Sequence, residues 1–162
     1  MDLEYDMPLY RPPSEARSLI LQATLGCSHN RCGFCYMYKD KKFQVKPEDE
    51  FFREIEEAAC IYPSARRIFL ADGDAMVLSA ERLGRILDRL TESFPQLQRV
   101  TAYANPSNLL AKSVDEMRRL KEKGLTILYY GVESGDPGLL YRINKGATPD
   151  EMATGCAKAT EA

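Results

Sequence analysis

From residue 18 onward, short apolar runs alternate with longer stretches in which apolar positions recur at helical spacing. Residues 18–24 (SLILQAT) form the first short run, rich in strand formers and ended at Leu25-Gly26. Residues 47–62 read as a helix. Phe51, Ile55, Ala58 and Ala59 share one face, Pro47 suits the first helical position, and Glu48, Asp49 and Glu50 suit the positive end of the helix dipole. Pro63 stops it. A second apolar strand follows at 66–71 (RRIFLA), then a helix at 79–94 with Leu83, Ile86, Leu87 and Leu90 on one stripe. The third strand is 99–104 (RVTAYA). The helix after it, 113–123, is opened by a Ser113/Glu116 capping box and closed by Gly124. The fourth strand is 125–132 (LTILYYGV). A short helix starts at Asp136-Pro137 and runs to about residue 144, and a second box, Thr148 with Glu151, starts the last helix.

The order is strand then helix, four times, with one helix more. Strands separated by helical crossovers pair in parallel with right-handed connections, so the pattern predicts an α/β fold built on a parallel sheet of about four strands with outer helices. Residues 1–17 carry three prolines and little periodicity, and read as an irregular N-terminal arm on a domain spanning 18–162. There is no internal repeat and no linker. In sheets of this kind ligands gather at the carboxyl ends of the strands, where the strand-to-helix loops converge.

Composition narrows the class. A chain of 162 residues, 44% hydrophobic and 28% charged, is one globular domain with a real core. Its 22 Lys and Arg against 24 Asp and Glu leave a net charge of −2, which removes a nucleic-acid partner held by bulk electrostatics. No apolar run approaches the roughly 20 residues that span a bilayer. The first ten residues, MDLEYDMPLY, are acidic and contain proline, unlike a secretion signal, so a cytoplasmic location without membrane attachment is expected.

Three of the five cysteines, Cys27, Cys32 and Cys35, crowd into the loop after the first strand. In a reducing compartment such a cluster points to metal or redox chemistry. Three thiolates on one glycine-punctuated loop suit an iron–sulfur cluster, and four irons held by three cysteines leave one iron open to an outside ligand. Structural zinc is the alternative, with His29, the only histidine, completing a Cys3His set. Cys60 and Cys156 stand alone in helical patterns and are expected to act as small core hydrophobes.

The loop C27-SHNR-C32-GF-C35 resembles the signature of the radical S-adenosylmethionine (SAM) enzymes, a C-x3-C-x-aromatic-C loop after the first strand of a partial (β/α) barrel. Cys32-Gly33-Phe34-Cys35 matches its second half, while four residues instead of three separate Cys27 from Cys32. Further matches stand at the following strand ends. Asp72-Gly73-Asp74 resembles, loosely, the family's Gly-Gly-Glu turn for the SAM ammonium, and G131-V132-E133-S134-G135 resembles its ribose- or methionine-contacting turn. Asn105 follows the third strand.

The resemblance implies a [4Fe-4S] cluster on Cys27, Cys32 and Cys35. It also implies a SAM site formed by Phe34 (its peptide near the adenine), Gly73, Asp74, Asn105, Glu133 and Ser134. The chemistry it implies is reductive cleavage of SAM to methionine and a 5′-deoxyadenosyl radical, an oxidoreductase-type reaction fed by a flavodoxin or ferredoxin. No catalytic side chain is assigned.

The family's full barrel holds more βα units than the four read here, and the sequence ends at KATEA with a helical pattern still running. A longer parent chain is therefore expected, and a non-catalytic iron–sulfur or zinc fragment is the alternative to an active enzyme. The fourth strand should present an open edge, which predicts a homo-oligomer. Simpler roles are also expected for several residues. Asp72 and Asp74 suit turns, and Glu133 needs a buried partner, either a cofactor or an arginine such as Arg142. Tyr36 and Tyr38 would shield the cysteine loop, and 39–42 (KDKK) would be a solvated surface run or a dock for an acidic donor.

Overall fold

Alternation along each strand decides which face of the sheet receives which residue. The computed structural model describes residues 3–162. Four strands, β1 (Leu19–Gln22), β4 (Arg67–Ala71), β5 (Arg99–Ala104) and β6 (Leu125–Tyr130), form one sheet in the order β1-β4-β5-β6, and each neighbouring pair is parallel. The registers Leu19↔Ile68, Ile68↔Val100 and Val100↔Leu125 run across its base.

Leu21, Ile68, Leu70, Val100 and Ala102 point to one face. They are covered there by α1 (Glu48–Ile61), α2 (Ala80–Ser93), α3 (Pro106–Ala111) and α4 (Val114–Glu122) through Phe51, Ile55, Leu83, Ile86, Leu87, Leu90, Leu109, Met117 and Leu120. Full burial of each large side chain contributes about 1.5–3 kcal/mol. The alternate residues Ile20, Phe69 and Ala71 face the other way and pack with Tyr103 and Tyr129. There Phe69 and Tyr103 meet edge-to-face at 5.1 Å. This is one side of a (β/α) barrel, helices outside and an aromatic inner face, as the strand–helix order predicts. After β6 come α5 (Pro137–Arg142) and α6 (Pro149–Glu161).

The capping boxes at Ser113/Glu116 and Thr148/Glu151 both form. Two features escape the periodicity. One is α3, capped at Asn105 immediately after β5. The other is the pair β2 (Thr24–Leu25) and β3 (Gln44–Val45), antiparallel with Thr24↔Val45, which closes the base of the cysteine loop. Cys60 is exposed and Cys156 half-buried, so neither is the core residue expected. Both sit on the flanks of their helices, where a period too weak to assign a face misleads.

The N-terminal arm is tied down across the inner face. Tyr5 and Leu9 pack on the Ile20/Phe69 cluster, the Tyr5 hydroxyl donates to the Ile20 carbonyl at 3.1 Å, and the Asp6 amide donates to Gln22 Oε1 at 2.9 Å. Residues 1–2 of the arm lie outside the described residues. The sheet ends at β6, so its outer edge is unpaired among the described residues, with Ile127 exposed beside an apolar groove lined by Met117, Leu120, Leu128 and Ala159. No helix among the described residues is long and apolar enough to cross a membrane.

Glu15 is fully buried at the end of the arm. It accepts from the Ser18 hydroxyl, from Tyr129 at 2.6 Å and from Arg99 at 3.2 Å. Burial pushes its carboxyl up, but the bonds from Ser18 and Tyr129 and the Arg99 charge outweigh burial and hold it below the usual carboxylate range. The stability it contributes is therefore present above the unfolded value near pH ~4.3 and is lost as pH falls through the lower folded value. Glu15→Gln should cost about 1–3 kcal/mol in urea unfolding at neutral pH. The gap from the parent protein should narrow between pH ~5 and pH ~3. A gap independent of pH would contradict this assignment.

Candidate functional site

The cysteine loop leaves the carboxyl end of β1 through Gly26, whose φ of +72° suits glycine. What holds its entry is Asp72, fully buried at the end of β4. Its Oδ2 accepts the Gly26 amide at 2.8 Å and the Lys41 ammonium at 2.8 Å, and its Oδ1 accepts from Gln22 at 3.0 Å. Lys41 is itself buried and also reaches Asp6, at 3.2 Å. The run 39–42 is thus not simply solvated, because one of its lysines closes the loop against β4. Asp72 is structural, with both oxygens engaged.

Asp74, two residues on, is different. Its Oδ2 accepts from the Ser28 hydroxyl, while Oδ1 is buried with no partner among the described residues. Burial pushes the Asp74 carboxyl up, and the Ser28 hydroxyl, with the nearby Asn105 amide, pulls it only part of the way back. Asn105, at the end of β5, places Nδ2 3.5 Å from Cys27 Sγ. Cys27, Ser28, Asp74 and Asn105 therefore meet at the adjoining ends of β1, β4 and β5. Gly73 lies against them. A Cβ there would stand 2.7 Å from Tyr38 Cε2 and 3.2 Å from Cys27 Cβ, so only glycine fits. Tyr38 is buried and Tyr36 is 77% exposed, so of the two only Tyr38 covers the loop.

Cys32 lies on the other side of the loop. Burial raises its thiol pKa, the Lys145 charge lowers it, and the fields of Cys27 and Cys35 raise it. All three cysteines are free and half-buried. Among the described residues no three such side chains gather tightly enough for a single ion. Glu133, with φ of +63°, pairs with Lys145 at 3.2 Å; Arg142 is exposed, so the partner is a lysine twelve residues on. Lys145 lies beyond α5, and no local spacing in the sequence links it to Glu133. Ser134 is drawn into a turn, its hydroxyl accepting the Asp136 amide at 3.0 Å, and Phe34 is 46% exposed on the loop surface. His29 places its Nε2 2.7 Å from the Asn144 carbonyl. Other grooves lie away from this loop, between α4, β6 and α6 and around the arm.

A parallel α/β half-barrel with three thiols on the first strand-end loop, and acid- and amide-bearing turns at the next ends, defines the class: a (β/α)-barrel-type fold with a cysteine loop at its rim. The chain belongs to the radical SAM superfamily, whose family model matches residues 21–162. It is 28% identical over 144 residues to the heme chaperone HemW of Bacillus subtilis (strain 168), an alignment covering 83% of this chain and 37% of HemW. The fold is shared with the cobalamin-dependent SAM radical enzyme OxsB, solved with aqua-cobalamin and SAM bound (TM-score 0.71, 18% identity, 88% of this chain and 22% of OxsB). It is shared too with coproporphyrinogen III oxidase HemN of Escherichia coli (TM-score 0.61, 16% identity, 89% of this chain and 34% of HemN). The chain thus spans about a third of the length of its curated relative and less of OxsB.

The two neighbouring acids should separate in stability. Asp72→Asn leaves buried Lys41 without its full partner and should lower the unfolding free energy of the metal-free protein by about 3–5 kcal/mol. Asp74→Asn relieves a buried, half-satisfied carboxylate and should stay within about 1 kcal/mol of the parent. Equal losses in urea titration would contradict this division.

Proposed function

We propose that Cys27, Cys32 and Cys35 hold a [4Fe-4S] cluster with one iron open, and that the adjoining strand ends receive SAM. The observation that carries this reading is the orphaned Oδ1 of Asp74, a buried acceptor on the side chain that holds Ser28, the residue after Cys27. An incoming ammonium would supply its missing partner and offset the burial that raises its pKa. Gly73, with no side chain, lets Tyr38 and Cys27 close against the strand end. Asn105 offers an amide next to the Cys27 sulfur, and Ser134, Glu133 and the Phe34 peptide would complete the site from the two flanking loops. When bound, the cluster and SAM supply the one-electron reduction that releases methionine and a 5′-deoxyadenosyl radical, an oxidoreductase chemistry that draws on a flavodoxin- or ferredoxin-type donor. The chain's own work is to hold three thiolates, orient an amino acid and exclude water with Tyr38 and the arm.

The zinc reading is disfavoured because, among the described residues, no three His, Cys, Asp or Glu side chains gather closely enough to hold a single ion. A non-catalytic cluster-bearing domain is the second reading, separated from the first by whether the reconstituted protein cleaves SAM.

Anaerobic reconstitution with iron and sulfide should give a brown protein with one [4Fe-4S] cluster per chain that releases 5′-deoxyadenosine from SAM and dithionite. Cys27→Ala, Cys32→Ala and Cys35→Ala should each lose the colour, and Asp74→Ala should keep it while weakening SAM turnover at least tenfold, the worth of about 1.4 kcal/mol. A brown protein that leaves SAM intact would support the second reading, and a colourless protein carrying zinc would refute both cluster readings.

A further inference from the structure

Between Cys27 and Cys35 the loop has no helix or strand of its own, so its shape is set by what grips it from outside. Its first half is gripped by β4 and β5 through Asp72, Asp74 and Asn105. Its second half is gripped by a segment remote in sequence, Ile143 to Gly146, directly after α5. The Gly33 amide donates to the Ile143 carbonyl at 2.7 Å. Asn144 Nδ2 donates to the Arg31 carbonyl at 3.1 Å, and His29 Nε2 meets the Asn144 carbonyl at 2.7 Å. The His29 ring lies so close over Gly146 that a Cβ there would stand 2.5 Å from Cε1, and Gly146 itself has φ of +75°.

The segment is rigid for reasons independent of the loop. Asn144 turns left-handed at φ +53°, the amides of Ile143, Asn144 and Lys145 are taken by α5 carbonyls, and buried Leu140 anchors α5.

We infer that Ile143–Gly146 is the template for the Cys32–Cys35 half of the metal loop, and that His29 is a positioning residue that latches the loop onto it before any metal arrives. His29 stands in the four-residue interval between Cys27 and Cys32, one residue longer than the usual spacing. The latch gives the longer interval a fixed path, because the segment is gripped at Arg31 and Gly33 and by the His29 ring between the two cysteines and just beyond. The effect on the loop stands without a cluster; the effect on metal loading rests on the function proposed above.

The test compares His29→Ala and His29→Gln in the full chain, Gln retaining an N–H donor at about the place of Nε2. In the metal-free protein, amide exchange at Gly33 should quicken about tenfold in His29→Ala, as expected for loss of one hydrogen bond's support, while β4 and β5 amides are unchanged. His29→Gln should stay near the parent rate. After reconstitution His29→Ala should carry less iron per chain and His29→Gln should recover it. Unchanged exchange at Gly33 in His29→Ala would overturn the latch. Equal loss of iron in both variants, with parent-like exchange in His29→Gln, would overturn it too, because it would make the imidazole a ligand. If the parent protein itself takes up no iron, the cluster reading fails, and the exchange rates still decide the latch.

Discussion

Everything at the strand ends depends on the buried carboxylate of Asp72. It joins the end of β1 through Gln22, the first turn of the cysteine loop through the Gly26 amide, and the end of that loop through Lys41. A charge taken out of water on both sides is tolerated only because every oxygen has a donor. The resulting knot leaves Asp74, on the same turn, free to face Cys27 and Asn105 with an unspent acceptor. Two acids of like type, two residues apart, are thus given opposite roles by what surrounds them. One closes the fold and the other keeps a buried acceptor without a partner among the described residues.

The barrel-like curvature organises the rest. Helices α1 to α4 cover the outer face with aliphatic side chains, and the inner face is a smaller set of aromatic rings, Phe69, Tyr103 and Tyr129, overlain by the arm. That division places the cysteine loop at the rim, roofed on one side by Tyr38 and held on the other by the segment after α5. The Tyr103 hydroxyl, on the inner face, is pushed up to about 12 by burial, first, and by its neighbour Tyr129. Tyr103 therefore stays neutral through the physiological range and serves as packing.

Much of this was legible in the sequence where period and caps speak. The stripe Leu83, Ile86, Leu87 and Leu90 is buried as its spacing says, the 99–104 strand matches residue for residue, and the Ser113 and Thr148 boxes form. The cysteine loop and the turns at Gly73-Asp74, Asn105 and Glu133 fall at strand ends as a parallel sheet requires. What could not be read is long-range. Lys41 looks like one lysine in a solvated run until Asp72 is folded against it. Glu133 gives no sign that its partner is Lys145. His29 reads as a loop residue or a ligand until Asn144 is brought beneath it. Two-residue strands such as β2 and β3 carry no period at all. Cys60 belongs to a residue type that buries readily, yet it lies exposed on a helix flank, where the face it occupies overrides that preference.

Three thiols leave an iron open only if nothing else on the chain, His29 above all, becomes a fourth ligand. Electron paramagnetic resonance of the reduced, reconstituted protein before and after adding SAM addresses this directly. A [4Fe-4S] signal whose shape changes when SAM is added is the expected result, because the open iron then gains a ligand. A signal indifferent to SAM would mean that the fourth position is already filled, and would contradict the site described.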